Sequence, residues 1–325
     1  MTHSLPSPAF GRPVRRLAAL AAGLLLCASA QALNLVNTTA WTAAYQGIDL
    51  ATATVNTSQA FAARVDLQAD GIAFTSTAKA GSLDTRTETT SAFLLRTGAE
   101  LAVNTGFFTP CCTTTVSDVD LRGLAVSDGQ LVSAPTYGSA RSVGTSVLLL
   151  TAGNQASIGV TTSAAALDWS LAYNALAGSG VIVRNGANVS ASHGTFGAPT
   201  VANPRTVLGI SQDARYLYLV AIDGRQAGYS DGVTMDEAAD LMIALGAGVA
   251  LNADGGGSTA MVRADGLGGA LLMNRPSGGS ERWVGSNLGV QALALSPVPE
   301  PATAWMLAAG LLLGWRLGRR AGHQA

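Results

Sequence analysis

The residues best suited to chemistry lie in the second half of the chain. The segment Asn252-Ala253-Asp254-Gly255-Gly256-Gly257-Ser258-Thr259 follows an apolar run and sets a carboxylate beside three glycines. Consecutive glycines let a loop turn inward and present backbone N–H groups, an arrangement that binds anions. Ser258 and Thr259 add hydroxyl donors. Arg205 in Asn203-Pro204-Arg205-Thr206, Arg225 in Asp223-Gly224-Arg225 and Arg275 in Asn274-Arg275-Pro276-Ser277 each offer the planar fork that grips phosphate through two bonds. Asp254 either acts on a ligand held there or hydrogen-bonds the glycine loop into shape. Asp223 either orients Arg225 or begins a turn. No lysine follows the glycines, which excludes a Walker-A phosphate loop, and the G-x-G-x-x-G dinucleotide pattern is missing here as well.

Elements must bring these segments together. Strand-like runs occur at 61–67, 72–77, 101–104, 123–126, 146–150, 181–183, 206–210, 216–222 and 249–252. Asp70-Gly71, Asp128-Gly129, Asn185-Gly186 and Asp265-Gly266 supply the positive φ angles of tight hairpins. Helices are scarcer. A short one is expected at 89–97 and a longer one over Met235–Leu245, with Met235, Ala238, Ala239, Met242 and Leu245 on one face. Thr234 and Glu237 form a T-x-x-E capping box ahead of it, and Gly246 ends it. The pattern predicts a single α+β domain of mixed or antiparallel strands with a few packed helices.

The chain has 325 residues, with apolar segments at both ends. Arg12, Arg15 and Arg16 precede a run at 17–26, followed by the small-residue patterns Ala28-Ser29-Ala30 and Ala30-Gln31-Ala32. This is the layout of a secretory signal peptide over residues 1–32. The intervening domain, 33–297, carries 13 basic and 19 acidic residues, a net charge of −6. That balance argues against nucleic acid as a partner. His193 is the one histidine of this domain, so zinc sites built on two histidines are excluded. It would be the single base available to a Ser-His-Asp triad, in a stretch of loop composition. The sequence requires no cofactor and leaves a divalent metal open. Cys111 and Cys112 are adjacent. Disulfide-bonded residues have Cα atoms at least about 4.4 Å apart, whereas a trans peptide holds neighbours at about 3.8 Å. A bridge between them is therefore disfavoured, leaving free thiols, an intermolecular bond or a metal contact.

Two resemblances follow from these motifs. Pro299-Glu300-Pro301, the apolar run 302–317 and the tip Arg319-Arg320 resemble a PEP-CTERM sorting signal over 298–325. It implies a transient transmembrane helix that a membrane transpeptidase, an exosortase, removes after signal peptidase has cut the other end. The ordered set P-R-T-x-x-G-I, D-G-R, G-V-T-x-x-E-A-A-x-L-M, L-N-A-D-G-G-G-S-T and N-R-P-S, preceded by N-x-G-F-F, resembles the phosphodiester glycosidase family, most clearly over 104–290. The resemblance implies hydrolysis of a sugar-1-phosphate diester to the sugar and a phosphomonoester.

A phosphomonoester is a good leaving group, with a second pKa near about 6, so it needs charge neutralisation more than protonation. Arginines and the loop Gly255, Gly256, Gly257, Ser258 and Thr259 would supply this. A carboxylate would activate water or stabilise charge on the sugar ring. The candidate catalytic residues are Asp254, Glu237 and Asp223, with Asn104, Arg205, Arg225, Asn274 and Arg275 among the substrate-binding ones. Glu237 equally fits a cap, Asn104 a turn, and Glu281 with Arg282 a surface pair. Phe107 and Phe108 divide between sugar stacking and core. The expected protein is an exported hydrolase of envelope or extracellular glycans. The alternative is a non-catalytic glycan-binding protein of the extracellular matrix.

Overall fold

The computed structural model describes residues 36–295 apart from 113, 139–141, 164–166, 193 and 195. The segments expected to be a signal peptide and a sorting signal with a transmembrane stretch, and His193, lie outside the described residues. Among the described residues no helix is long and apolar enough to cross a membrane.

The α+β expectation is corrected. Among the described residues there are two α-helices, Thr90–Thr97 (α1) and Met235–Leu245 (α2), against a large majority of strands. Every strand pairing described is antiparallel. The protein is mostly β. The helices were located correctly in sequence, but they cover sheets rather than form a layer of comparable size.

The central sheet runs Val36–Thr38, Ile48–Val55, Ser58–Asp66, Tyr216–Ile222, Arg205–Ser211, Ala247–Asn252, Gly180–Arg184 and Ala187–Asn188, with Thr42–Tyr45 paired to Ile48–Val55. Alternation along each strand sends side chains to opposite faces. Val207, Val220, Ile222 and Ala250 meet Met235, Ala238, Ala239 and Met242 of α2 on one face. Leu208, Ile210, Leu219 and Leu251 meet Leu101, Val103, Leu148 and Leu288 on the other. Those last residues come from two five-stranded sheets. One contains Ser146–Leu150 between Asn174–Gly178 and Ala156–Val160, and the other Leu101–Asn104 between Met261–Ala264 and Asn287–Gln291. α1 packs Phe93 and Leu94 on Ala102 and Val262 of the latter sheet. A smaller sheet joins Thr85–Arg86, Asp118–Leu121 and Phe108–Thr109.

α2 has the expected ends. Thr234 Oγ1 accepts from the Glu237 N–H at 3.2 Å, and the Thr234 N–H donates to Glu237 Oε2 at 2.7 Å. Gly246 closes the helix at φ 105°, a left-handed conformation suited to glycine. The cysteine expectation is also corrected. Cys111 and Cys112 form a disulfide across a cis peptide, with Cα atoms 3.1 Å apart. The spacing of about 3.8 Å belongs to a trans peptide and does not apply across this cis bond.

Candidate active site

Two neighbouring strands of the central sheet fix the site. Arg205–Ser211 starts where Ala247–Asn252 ends, with Val207 opposite Asn252. Beyond Asn252 the chain is tied down by backbone bonds from Ala253 N–H to Thr206 O at 2.8 Å, Asp254 N–H to Thr105 O at 2.7 Å and Gly256 N–H to Pro204 O at 2.8 Å. Asn104, at the end of a strand in another sheet, donates from Nδ2 to Asp254 O at 2.7 Å. Its Oδ1 accepts from Thr206 Oγ1 and the Ala260 N–H. Asn104 is thus a buried brace between sheets, beneath the loop rather than at its surface.

A cavity of about 480 Å3 opens over this loop, bordered by Asp254, Gly255, Gly256, Gly257, Asn252, Phe107 and Phe196, with Arg122, Arg205, Arg225 and Arg282 also in its wall. Asp254 is the one carboxylate among the described lining residues. Removal of its carboxylate from bulk water pushes its pKa up to about 7, against opposing pulls from the Ser258 hydroxyl, the Arg282 charge and the Gly255 N–H. The group therefore changes charge near neutrality, the range that suits a general base.

The glycines earn separate explanations. A Cβ on Gly255 would sit 2.6 Å from Pro204 O, and Gly256 holds φ +63° with Arg225 nitrogens close against it. A Cβ on Gly257 would overlap the Arg282 guanidinium, so this glycine is what lets Arg282 lie flat on the loop. The loop is only partly the anion nest expected. Gly256 spends its N–H on Pro204, and the Gly255 N–H bonds to the Asp254 carboxylate.

The arginines divide by role. Arg225, at φ 58°, has Nε held by Asn203 Oδ1 at 3.0 Å and its terminal nitrogens beside Gly256 at the cavity wall. Arg282 donates to Ser258 Oγ at 3.3 Å. It does not pair with Glu281, which instead accepts from the Ser91 N–H and hydroxyl. Arg205 is 3% exposed and donates to the carbonyls of Val233, Gly197, Ala198 and Val201. Burial, with Arg225 adding repulsion, lowers its pKa to about 10, leaving it cationic at neutral pH. Four of its five donors hold protein backbone, so it shapes the wall that carries Phe196. Phe196 meets Phe107 edge-to-face, with ring centroids 5.0 Å apart, while Phe108 is buried.

Several expected site residues stand back from the cavity. Asp223 accepts from Asn274 Nδ2, the Arg275 N–H and Tyr229 Oη, and burial raises its pKa against those bonds. It ties the turn after one strand to the 274–275 segment. Asn274 also donates to Thr259 O and accepts from the Met261 N–H. The Arg275 guanidinium lies over Tyr229, 5.1 Å from the ring centroid. Glu237 caps α2 and accepts from Asn56 Nδ2 at 2.7 Å. Thr259 is buried behind the glycine loop.

The sequence reading missed Arg122, Phe196 and Asn252 as wall residues and Arg282 as a cavity arginine. Only Asn252 carried a signal, as the polar end of an apolar strand. Its Nδ2 donates to Ser179 Oγ and Ala253 O, while its Oδ1 has no partner among the described residues. No cluster of three or more His, Cys, Asp or Glu that could hold a metal occurs among the described residues.

The phosphodiester glycosidase family model matches residues 97–291, which contain this whole cavity. Two solved structures share the fold. A hypothetical protein from Synechocystis is 15% identical, with TM-score 0.54 and coverage of 76% of this chain and 62% of that one. The zebrafish N-acetylglucosamine-1-phosphodiester alpha-N-acetylglucosaminidase catalytic domain, auto-inhibited by its pro-peptide, is 17% identical, with TM-score 0.54 and coverage of 78% and 87%. The chain thus spans less than two thirds of the length of the Synechocystis protein. No curated protein sequence matches it.

Proposed function

The chain belongs to the phosphodiester glycosidase family, whose members are glycosidase-type hydrolases, and from that premise we propose that it cleaves the glycosyl–phosphate bond of sugar-1-phosphate diesters. Asp254 takes a proton from water as the water oxygen bonds to the anomeric carbon. The bond from that carbon to the phosphate oxygen breaks, and its electron pair leaves with the phosphomonoester. Arg225 and Arg282 neutralise the charge gathering on the leaving phosphate, where preorganised donors contribute most. Phe107 and Phe196 offer apolar faces to the sugar. Arg205 acts through the wall it holds.

The observation that carries this reading is geometric: Asp254 is the one carboxylate among the described residues of a cavity wall that also holds Arg122, Arg205, Arg225 and Arg282. An ordinary glycoside would bring no anion for Arg225 and Arg282 to bind. We assign each step to side chains and water. Added divalent ions and a chelator form one arm of the assay.

The proposal extends to location and substrate source. A signal peptide over 1–32 and a PEP-CTERM-like tail over 298–325 support export, anchoring through the tail and release by an exosortase. They favour glycans of the envelope or extracellular matrix as the source of the phosphodiester. The test is incubation with a panel of sugar-1-phosphate diesters and matched simple glycosides, following free sugar and phosphomonoester. Turnover of diesters alone is expected. Tight binding of the panel without turnover would replace the enzyme with a glycan-binding protein.

A further inference from the structure

The arginines of the Asp254 cavity stand on two sides of it. Arg225 and Arg282 lie against Gly256 and Gly257. Arg122 comes from elsewhere. It follows the strand Asp118–Leu121, and its N–H donates to Phe107 O at 2.8 Å. The next residue, Gly123, packs against Gly144 and Ala177 so closely that a Cβ would overlap both. Gly178, which follows Ala177, packs in the same way against Asn252 O. Arg122 therefore stands on the Phe107 and Asn252 side of the cavity. A neighbouring hollow that Arg225 and Arg282 also border reaches none of these three residues.

Two groups on that side have no partner among the described residues. Asn252 is 1% exposed, and nothing donates to its Oδ1. A buried acceptor left this way is costly until a ligand or water donates to it. The Arg122 guanidinium makes no hydrogen bond or ion pair, whereas Arg205 holds carbonyls, Arg225 holds Asn203 and Arg282 holds Ser258. Charge sharpens the contrast. Four guanidinium groups share this wall with one carboxylate. A phosphodiester brings a single negative charge, which Arg225 and Arg282 already meet. Arg122 is left over, and it adjoins the aromatic pair that takes the sugar. We propose that Arg122 binds a carboxylate on the sugar itself, so that the preferred glycosyl group is a uronic acid. A carboxylate accepts two parallel bonds from the guanidinium fork, and Asn252 Oδ1 accepts from a ring hydroxyl beside it. The inference rests on the phosphodiester glycosidase reading and adds to it the class of sugar released, an acidic one.

The test compares two substrates that differ only in that carboxylate, the methyl phosphodiesters of glucuronic acid 1-phosphate and glucose 1-phosphate. Turnover and calorimetric affinity are both measured on the full chain. The parent should favour the glucuronate in kcat/KM, or in affinity, by at least about tenfold. Arg122→Gln should bring the ratio within about threefold through loss on the glucuronate, and Arg122→Lys should restore part of it. If Arg122→Gln does not fold, Arg122→Lys carries the test alone, since the lost fork should still lower the ratio about threefold or more. A parent without preference overturns the assignment, as does a preference that survives intact in the folded variants. An equal loss on both substrates also overturns it, because Arg122 would then grip the phosphate. A parent that binds the glucuronate more tightly yet hydrolyses neither diester would retain the Arg122 assignment and lose the activity. Hydrolysis of both diesters alike would do the reverse.

Discussion

Replacing Asp254 by Asn should slow the enzyme and stabilise the fold, and the two effects should follow pH differently. The amide keeps the shape and can still accept from Ser258, but it carries no charge. Asp254 titrates at about 7 in the folded protein against 3.8 for the free group, a rise of about three units. At about 1.36 kcal/mol per unit, ionising it in place costs the native state about 4 kcal/mol. Water in the open cavity screens the charge, which brings the expected figure to about 2–4 kcal/mol. The sign follows from the direction of the shift. A raised pKa favours the protonated folded form, so this contribution is complete below about pH 4 and is lost as pH rises through 7. The Tm values of parent and Asp254→Asn should therefore coincide near pH 4. They should diverge by about 5–10 °C in favour of the variant by pH 8, using the usual conversion for a domain of this size. Activity should move the other way, with kcat down about 10²–10⁴-fold, the scale of general-base catalysis. The parent kcat/KM should rise with pH to a plateau above about 7. Thermal melts at pH 4, 6 and 8, with kinetics on a cleaved diester, give all three readouts. Near-parental kcat in Asp254→Asn would refute the base assignment, and a parent profile falling between pH 6 and 8 would point to a proton donor instead.

Gly257→Ala should displace Arg282 from the loop by contact with its flexible end, lowering kcat/KM about tenfold or more while Tm moves little. A parental kcat/KM would show that Arg282 has no part in binding phosphate. Arg205→Lys and Arg225→Lys should separate by readout. The first leaves backbone carbonyls without donors and should cost about 2–4 kcal/mol in denaturant unfolding, whereas the second should raise KM with stability nearly constant. In a host with the matching transpeptidase, intact-mass measurement of the secreted protein should find the segment 305–320 missing, and a full-length tail would remove the sorting proposal.

Local signals were legible where one stretch of sequence decides the outcome. The capping box Thr234–Glu237, the stop at Gly246 and the strand Leu101–Asn104 needed no knowledge of the rest of the chain. The strand Ile48–Val55 was missed, because its Ala-Thr-Ala-Thr core has little hydrophobic contrast to reveal alternation. The fold class was misjudged because two clear helices drew more weight than many short strands with weak individual signals. In the site, residue types were legible but their roles were not. Arg205 and Arg225 look alike in sequence, and only the path of the 197–201 segment makes one a backbone clamp and leaves the other at the cavity wall. Asp223, Asn274 and Thr259 lie within the motifs, yet burial turns them inward as braces. Arg282 entered the site through a long-range approach to Gly257 that spacing cannot encode.

The Arg205 clamp grips main-chain oxygens alone, and carbonyls are the same whatever side chains accompany them. The segment it anchors can therefore be rewritten, apart from the left-handed positions Gly197 and Ala198, without loosening its attachment. Phe196 rides on that segment, so this part of the cavity lining is interchangeable while the wall beneath it stays fixed. A library varied at 196 and 199–201 would therefore explore different cavity linings above an unchanged Asp254, with the clamp as the chassis.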